Sequence, residues 1–273
     1  MTDFDKIKNY YKNFDEKNRL QNDSSGKLEY TMTMNILENN LPSTGIILDL
    51  GGGAGVYSFP LADKWYKVYL ADLSEDLINQ AKDQRNHNIV SCDVVNATNL
   101  NMYENNQFDV VLLFGPLYHL LEESERKQCL KEVYRVLKPG GKVLASFIPY
   151  LSGSIAIVDR YFRHPEQVNI NNLSEVFNSG KFKNSSDKGF QEGYYPTINE
   201  IDNLFSNSGF EKITIRSIRG FGYEKEDSLY NIDDKNMFNT IIDLINETSD
   251  NPSIIDTCGH AMYIGYKRMW LHV

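Results

Sequence analysis

Cysteine is scarce in this chain of 273 residues: three stand far apart, at 92, 129 and 258, with no C-x-x-C pair. An odd, scattered count excludes a disulfide frame, gives no metal-ligand spacing, and fits reduced thiols in a cytoplasmic setting. Basic residues are also outnumbered, 28 Lys and Arg against 37 Asp and Glu, for a formal net charge of −9. That balance argues against nucleic acid as a partner, because a nonspecific grip on phosphates needs a cationic surface. No apolar run is long enough to cross a bilayer. The most apolar stretch, Val110 to Leu121, is short and contains Gly115-Pro116. The opening "MTDFDKIKNYYKNFDEK" is charged throughout, which fits neither a signal peptide nor a membrane anchor. There is no internal repeat and no low-complexity tract. The expectation is a cytoplasmic protein, monomer or homodimer.

What is present is a regular alternation. Residues 4–19 and 27–39 have helical spacing, joined by the turn-like "NDSSG". From residue 46, short apolar runs alternate with amphipathic stretches. "IILDL", "KVYLA", "NIVSC", "DVVLLF" and "KVLASFI" read as strands, with a helix from about Gly55 to Asp63 after the first. Ser74 with Glu75 and Asp76 makes a good helix start, and 124–141 carries an apolar face that ends at Pro139-Gly140-Gly141. Such alternation predicts an α/β fold: a parallel sheet with helices on both faces. Residues 151–195 break the rhythm, being polar, aromatic and irregular. "PTINEIDNLFSNSGF" restores it, with Thr197 and Glu200 at capping-box spacing and Gly209 as the stop. Strands at 211–220 and 259–267, separated by a polar loop and a helix near 234–248, complete the reading.

The chemistry starts at "ILDLGGGAGVYS", residues 47–58. Glycines here let a ligand approach the backbone closely. A dinucleotide fingerprint, G-x-G-x-x-G counted from Gly51, requires glycine at 56, where the chain has Val56. The pattern is instead D-x-G-x-G-x-G, from Asp49 through Gly51 and Gly53 to Gly55. A carboxylate inside the strand would repel a pyrophosphate and would suit an ammonium group. S-adenosylmethionine (SAM) offers that ammonium and no phosphate. Asp72, about 20 residues on, follows the second strand, where it can accept from both ribose hydroxyls, with Leu73 beside it. Asp93 follows the third, where an adenine amino group needs an acceptor and the Val94 backbone can meet the ring edge. Each acid also has a plain alternative: Asp49 capping the glycine turn, Asp72 capping the next helix, Asp93 as an ordinary turn residue.

These stretches, with "YLADLS", "VSCDV", "FDVVLLFGPLYHLL" and "VYRVLKPGGKVLASF" in order and spacing, resemble the class I, Rossmann-like SAM-dependent methyltransferases. The resemblance covers roughly residues 46–148, with looser agreement to the end. It implies a seven-stranded, mostly parallel sheet whose last strand is antiparallel, and S-adenosyl-L-homocysteine as the product of the cofactor. Pro60 departs from the pattern, since a proline there tilts or shortens the helix after the loop.

In such enzymes the segment after the fourth strand, here Phe114 onward, lines the acceptor pocket. Tyr118 and His119 are its polar groups. His119 is a candidate general base with a near-neutral pKa, or else it packs beneath the next helix. The segment is not the Asn/Asp-Pro-Pro-Tyr/Phe motif of enzymes acting on the amino groups of bases or glutamine. A leading helix often closes over the cofactor in the family, which makes Tyr11 and Arg19 candidates from a stretch that includes Tyr10 and Phe14. An ordinary amphipathic helix packed on the sheet is the alternative. His260 reads as structural. The expected organisation is a helical cap plus SAM-binding core over 1–150, a lid or substrate insertion over 151–195 whose aromatics could equally form a satellite core or dimer surface, and the rest of the core over 196–273. The expected function is methyl transfer from SAM to an oxygen, nitrogen or sulfur atom of a small-molecule acceptor. An RNA (tRNA) methyltransferase and a non-catalytic SAM-binding regulator are the rivals.

Overall fold

A computed structural model describes residues 2–12, 15–84, 88–186 and 190–269. The helical start expected over 4–19 is divided into α1 (Phe4–Lys12) and α2 (Arg19–Asn22); Asn13 and Phe14 lie outside the described residues. α3 (Ser24–Asn40) begins inside the "NDSSG" stretch, because the Asp23 side chain accepts from Gly26 N and starts the helix early. The core then runs β1 (Ile46–Leu50), α4 (Ser58–Asp63), β2 (Lys67–Asp72), α5 (Glu75–Gln84), β3 (Ile89–Val94) and β4 (Phe108–Phe114). It continues with α6 (Pro116–His119), α7 (Glu123–Val136) and β5 (Leu137–Phe147). α4 starts at Ser58 instead of Gly55: Gly55 sits at φ +90° and belongs to the turn, and Pro60 falls within the short helix. β5 starts earlier than expected, since Leu137 already pairs with Phe108 before the Pro-Gly-Gly irregularity.

Residues 151–195 are not irregular. They form α8 (Tyr150–Arg163), α9 (Ile170–Ser179) and the small antiparallel pair β6 (Lys181–Lys183) and β7 (Glu192–Tyr194). This subdomain has its own core of Ile157, Val168, Val176, Phe182 and Tyr195. Then come α10 (Ile198–Asn207), capped by the Thr197–Glu200 box, and β8 (Phe210–Ser217). The polar connection holds α11 (Glu226–Tyr230), α12 (Lys235–Glu247) and α13 (Pro252–Ile255) before β9 (Ala261–Lys267) closes the fold.

The sheet order is β3-β2-β1-β4-β5-β9-β8, with β9 antiparallel to both neighbours. Alternate residues on each strand feed opposite layers. Leu48, Leu50, Val111, Leu113 and Val143 pack with α7 and α10, whereas Ile47, Val68, Val110, Leu112 and Leu144 pack with α3 and α12. This is the seven-stranded, doubly wound α/β architecture. Chain order reverses where β1 lies between β2 and β4, and ligands of open sheets bind at that crevice.

The turn leaving β1 opens the crevice. Gly51 and Gly52 N–H groups donate to the Ala71 carbonyl at 2.8 and 3.2 Å, which binds the loop to β2. Gly51 takes φ +83°, and a Cβ there would stand 2.6 Å from Pro116 Cδ and 2.9 Å from the Phe114 carbonyl. Gly53, at φ +55°, would meet Glu16 Cγ at 3.4 Å and Leu77 Cδ1 at 3.7 Å, both ordinary contacts with side chains. Gly51→Ala should therefore destabilise by about 2–4 kcal/mol, through backbone strain plus a clash with rigid backbone and ring atoms. Gly53→Ala should cost about 1–2 kcal/mol, from strain alone. Urea unfolding of both variants checks the order, and a Gly53→Ala variant as unstable as Gly51→Ala would contradict it.

Candidate active site

A cavity of about 360 Å³ opens at the carboxyl ends of β1, β2 and β4 and runs on beneath α1 and the 151–195 subdomain. At its inner end lies Asp49, with none of its surface exposed. Asp49 Oδ2 accepts from Ser58 Oγ at 2.7 Å, while Oδ1 is buried without a hydrogen-bond partner. Burial pushes the Asp49 carboxyl up to about 7; the Ser58 hydrogen bond works against that, and the charge of Asp72 adds to it. Asp72 accepts from Gly53 N at 2.9 Å and Ser74 N at 2.8 Å, so it ties the glycine loop to the start of α5. Burial raises its pKa as well, against those backbone donors.

Arg19 reaches the same space from α2. Its Nε donates to Glu16 Oε1 at 3.2 Å, and Nη1 and Nη2 both donate to Glu29 Oε1 at 3.0 Å. His260 Nδ1 lies 3.5 Å from Glu29 Oε2. Burial opposes the charge on Glu29, but Arg19 and His260 outweigh it and hold the carboxyl below its usual range. Four carboxyl groups (Glu16, Glu29, Asp49 and Asp72) thus line this end of the cavity, with Arg19 among them.

At the outer end, Tyr11 and His119 meet across the cavity, Tyr11 Oη and His119 Nε2 being 2.9 Å apart. His119 Nδ1 is buried without a well-formed hydrogen bond. Burial lowers the ring to about 4, with the Glu192 backbone partly offsetting it. Burial raises the phenols of Tyr11 and Tyr118 above their ordinary range. All three groups are neutral at pH 7.

The structure brings together Asp49, Gly51, Gly53, Asp72, Leu73, Phe114, Tyr118, His119, Tyr11 and Arg19 along one cavity. Four expectations differ from what the structure shows. Asp93 and Val94 do not line it. β3 runs on to Val94, and the Asp93 carboxylate turns toward Ser91 Oγ (2.5 Å) and Tyr103 Oη (3.0 Å). The residues beyond the strand, Val95, Asn96 and Ala97, form the wall instead. Gly55 also lies off the cavity: a Cβ there would stand 2.5 Å from the Phe59 ring, so the glycine makes room for that ring. His119 faces the cavity but lacks the near-neutral pKa expected of a base, because burial desolvates it. His260, expected to serve the fold, lines the cavity too. Sequence reasoning missed Ser58 and Gly52. Gly52 was legible, since it lies in the same loop, and a Cβ there would come within 2.7 Å of the Asp49 carboxylate.

SAM fits this site on the structure's own terms. The unpartnered Asp49 Oδ1 calls for a cationic donor, and the positive-φ glycines leave a cradle beside it. The comparisons agree. Residues 47–141 match a family described as a methyltransferase domain. The demethylmenaquinone methyltransferase of Oceanobacillus iheyensis is 26% identical over 78% of this chain and 89% of that protein. The ubiquinone/menaquinone biosynthesis C-methyltransferase of Hydrogenovibrio crunogenus is 36% identical, over 36% of this chain and 40% of its own length. A tRNA (carboxymethyluridine(34)-5-O)-methyltransferase of Arabidopsis thaliana, 34% identical, aligns over 38% of this chain and 24% of its own length. A SAM-dependent methyltransferase structure from Methanosarcina mazei superposes with a TM-score of 0.60 at 20% identity, covering 86% of this chain and 97% of that one. Fold and crevice define a Rossmann-like, doubly wound α/β protein. Residues 47–141 thus carry a methyltransferase domain, and the findings together support a class I SAM-dependent methyltransferase.

Asp49 provides a test that needs no acceptor. Its folded pKa of about 7 lies above the ordinary 3.8, so between those values the native state holds a proton that the unfolded state has lost. Its contribution to stability is therefore full below about pH 4 and declines as pH rises through 7. His119 acts in the opposite sense between about 4 and 6.5, but it is common to wild type and variant and cancels in their difference. The stability of wild type minus that of Asp49→Asn should fall by about 2–4 kcal/mol from pH 4 to 7.5. Denaturant titrations at several pH values measure it. A flat difference would mean that Asp49 is ionised throughout.

Proposed function

We propose that this enzyme methylates a small-molecule acceptor held in the outer chamber of the cavity, between α1, α6 and the 151–195 subdomain. The observation that carries this reading is continuity: one cavity joins the Asp49 and glycine-loop end to a chamber walled by Tyr11, Tyr118, His119, Phe190 and Tyr195. Asp49 would hold the cofactor's ammonium, Asp72 the ribose hydroxyls, and Leu73 with Val95–Ala97 the adenine. Arg19 keeps N–H donors beyond those given to Glu16 and Glu29, and these suit the carboxylate. The cofactor supplies a methyl group made electrophilic by its sulfonium.

The reacting atom is an oxygen, nitrogen or sulfur, or a carbon, as the name of the Hydrogenovibrio relative suggests for that protein. The tRNA reading draws on the Arabidopsis relative, but the roofed chamber and the net charge of −9 favour a small molecule. An open outer chamber also speaks against a non-catalytic regulator. Calorimetry should show binding of S-adenosylhomocysteine and none of NAD, with Asp72→Ala weakening the former by roughly 1.5–3 kcal/mol.

His119 acts here by position. A ring with a pKa of about 4 is a poor proton acceptor at pH 7, so holding the acceptor and excluding water do more of the catalysis. His119→Asn should lower kcat less than about tenfold while leaving the affinity for S-adenosylhomocysteine unchanged. A loss of about 10²–10⁴ in kcat would show that it is a general base after all.

The 151–195 subdomain serves as the roof. Its amides should exchange more slowly when both S-adenosylhomocysteine and acceptor are bound. Equal, strong protection in both states would make it a fixed wall.

A further inference from the structure

The outer chamber contains a guanidinium with few partners. Arg160, on α8, lines the cavity, and its Nη1 donates to Gln167 Oε1 at 2.8 Å. Its Nε is buried with no hydrogen-bond partner, and no carboxylate among the described residues forms an ion pair with it. The other cavity arginine, Arg19, is neutralised by Glu16 and Glu29. The side chain is half-buried, so the guanidinium has lost part of its water without gaining a counter-charge, and a carboxylate is its best-matched partner.

The route to Arg160 is a wall of rings. Tyr11 lies 5.6 Å from His119 and His119 5.3 Å from Phe190, centroid to centroid. Behind that wall, in the subdomain core, Phe182 stacks on Phe190 at 6.4 Å and lies 5.5 Å from the Arg160 guanidinium, so that Phe190 and Arg160 face the cavity from one packed group. Rings suit a flat, apolar body, and the far end offers one positive charge.

We infer that the acceptor is a flat, unsaturated or aromatic acid whose carboxylate is bound by Arg160, which makes Arg160 the residue that selects it. The inference rests on the outer chamber being the acceptor site. Arg160 acts on the end of the acceptor remote from Tyr11 and His119, so it sets affinity and orientation and takes no proton.

The test is calorimetry on protein saturated with S-adenosylhomocysteine, using benzoate, 4-hydroxybenzoate and trans-cinnamate, each against its methyl ester. At least one acid should bind about tenfold or more tighter than its ester, the scale of a charge-assisted hydrogen bond. Arg160→Gln should abolish that preference and Arg160→Lys should restore part of it, with S-adenosylhomocysteine affinity within about twofold of wild type in both. Binding by none of the acids, equal binding of acid and ester, or a preference that survives in Arg160→Gln would overturn the inference and leave the methyltransferase reading intact. Failure of wild type to bind S-adenosylhomocysteine would overturn both, and the first titration detects it.

Discussion

The site is organised around a carboxylate that the central strand carries into the interior. Asp49, one residue before the end of β1, is out of contact with water, and one hydroxyl, Ser58 Oγ, is what the protein supplies to it. A buried carboxylate so thinly solvated either takes a proton or attracts a cation. The surrounding sequence follows from that choice. Residue 52 must be glycine, because a Cβ would crowd the carboxylate and Leu70. The chain must turn left-handed at Gly51 to clear Pro116 and Phe114, and α4 must begin at Ser58 so that its hydroxyl faces inward. Asp72 then fixes the turn from the next strand by accepting from Gly53 N, so the two acids share a rigid frame.

The same frame accounts for the choice of cofactor. A phosphate-binding loop directs backbone N–H groups at a ligand in the absence of nearby negative charge. Here Asp49, Asp72, Glu16 and Glu29 gather around the loop, and Arg19 is engaged by two of them. An ammonium and a sulfonium are welcome in such a field, and a pyrophosphate is not. The Arg19–Glu29–His260 chain also joins α2 to α3 and to the loop before β9, linking the cap to both halves of the core.

Much of this was legible in the sequence, and the failures have physical causes. β1 and β4 and most of β2 and β5 are apolar runs buried on both faces, and such runs stand out at any register. α8 did not stand out. Part of its buried face is Ser152, Gly153 and Ser154, small residues that let the Tyr195 ring lie against the backbone, while Leu151, Ile155 and Phe162 face outward. A helix that buries serine and exposes phenylalanine defeats a reading based on hydrophobic period. Asp93 failed for a different reason. Which of two adjacent residues at a strand end faces the crevice depends on where the strand stops, and β3 runs as far as Val94. Burial of His119 is a tertiary fact: α1 and Phe190 cover it, and neither adjoins it in sequence.

Desolvation gives the outer chamber its chemical character. It drives His119 toward the neutral imidazole and Tyr11 and Tyr118 toward neutral phenols, so the walls carry hydrogen-bonding groups without charge near Tyr11 and His119. Walls of that kind suit a transfer between partners of opposite charge. An anionic or strongly electron-rich acceptor loses charge as it bonds to a cationic donor, and a dry, weakly polar surrounding opposes that change less than water does. An acceptor that arrives already ionised, or already nucleophilic, needs no base from the protein. A chamber that excludes water and fixes its occupant is then sufficient, and the low basicity of His119 becomes a consequence of the same exclusion that makes the transfer favourable.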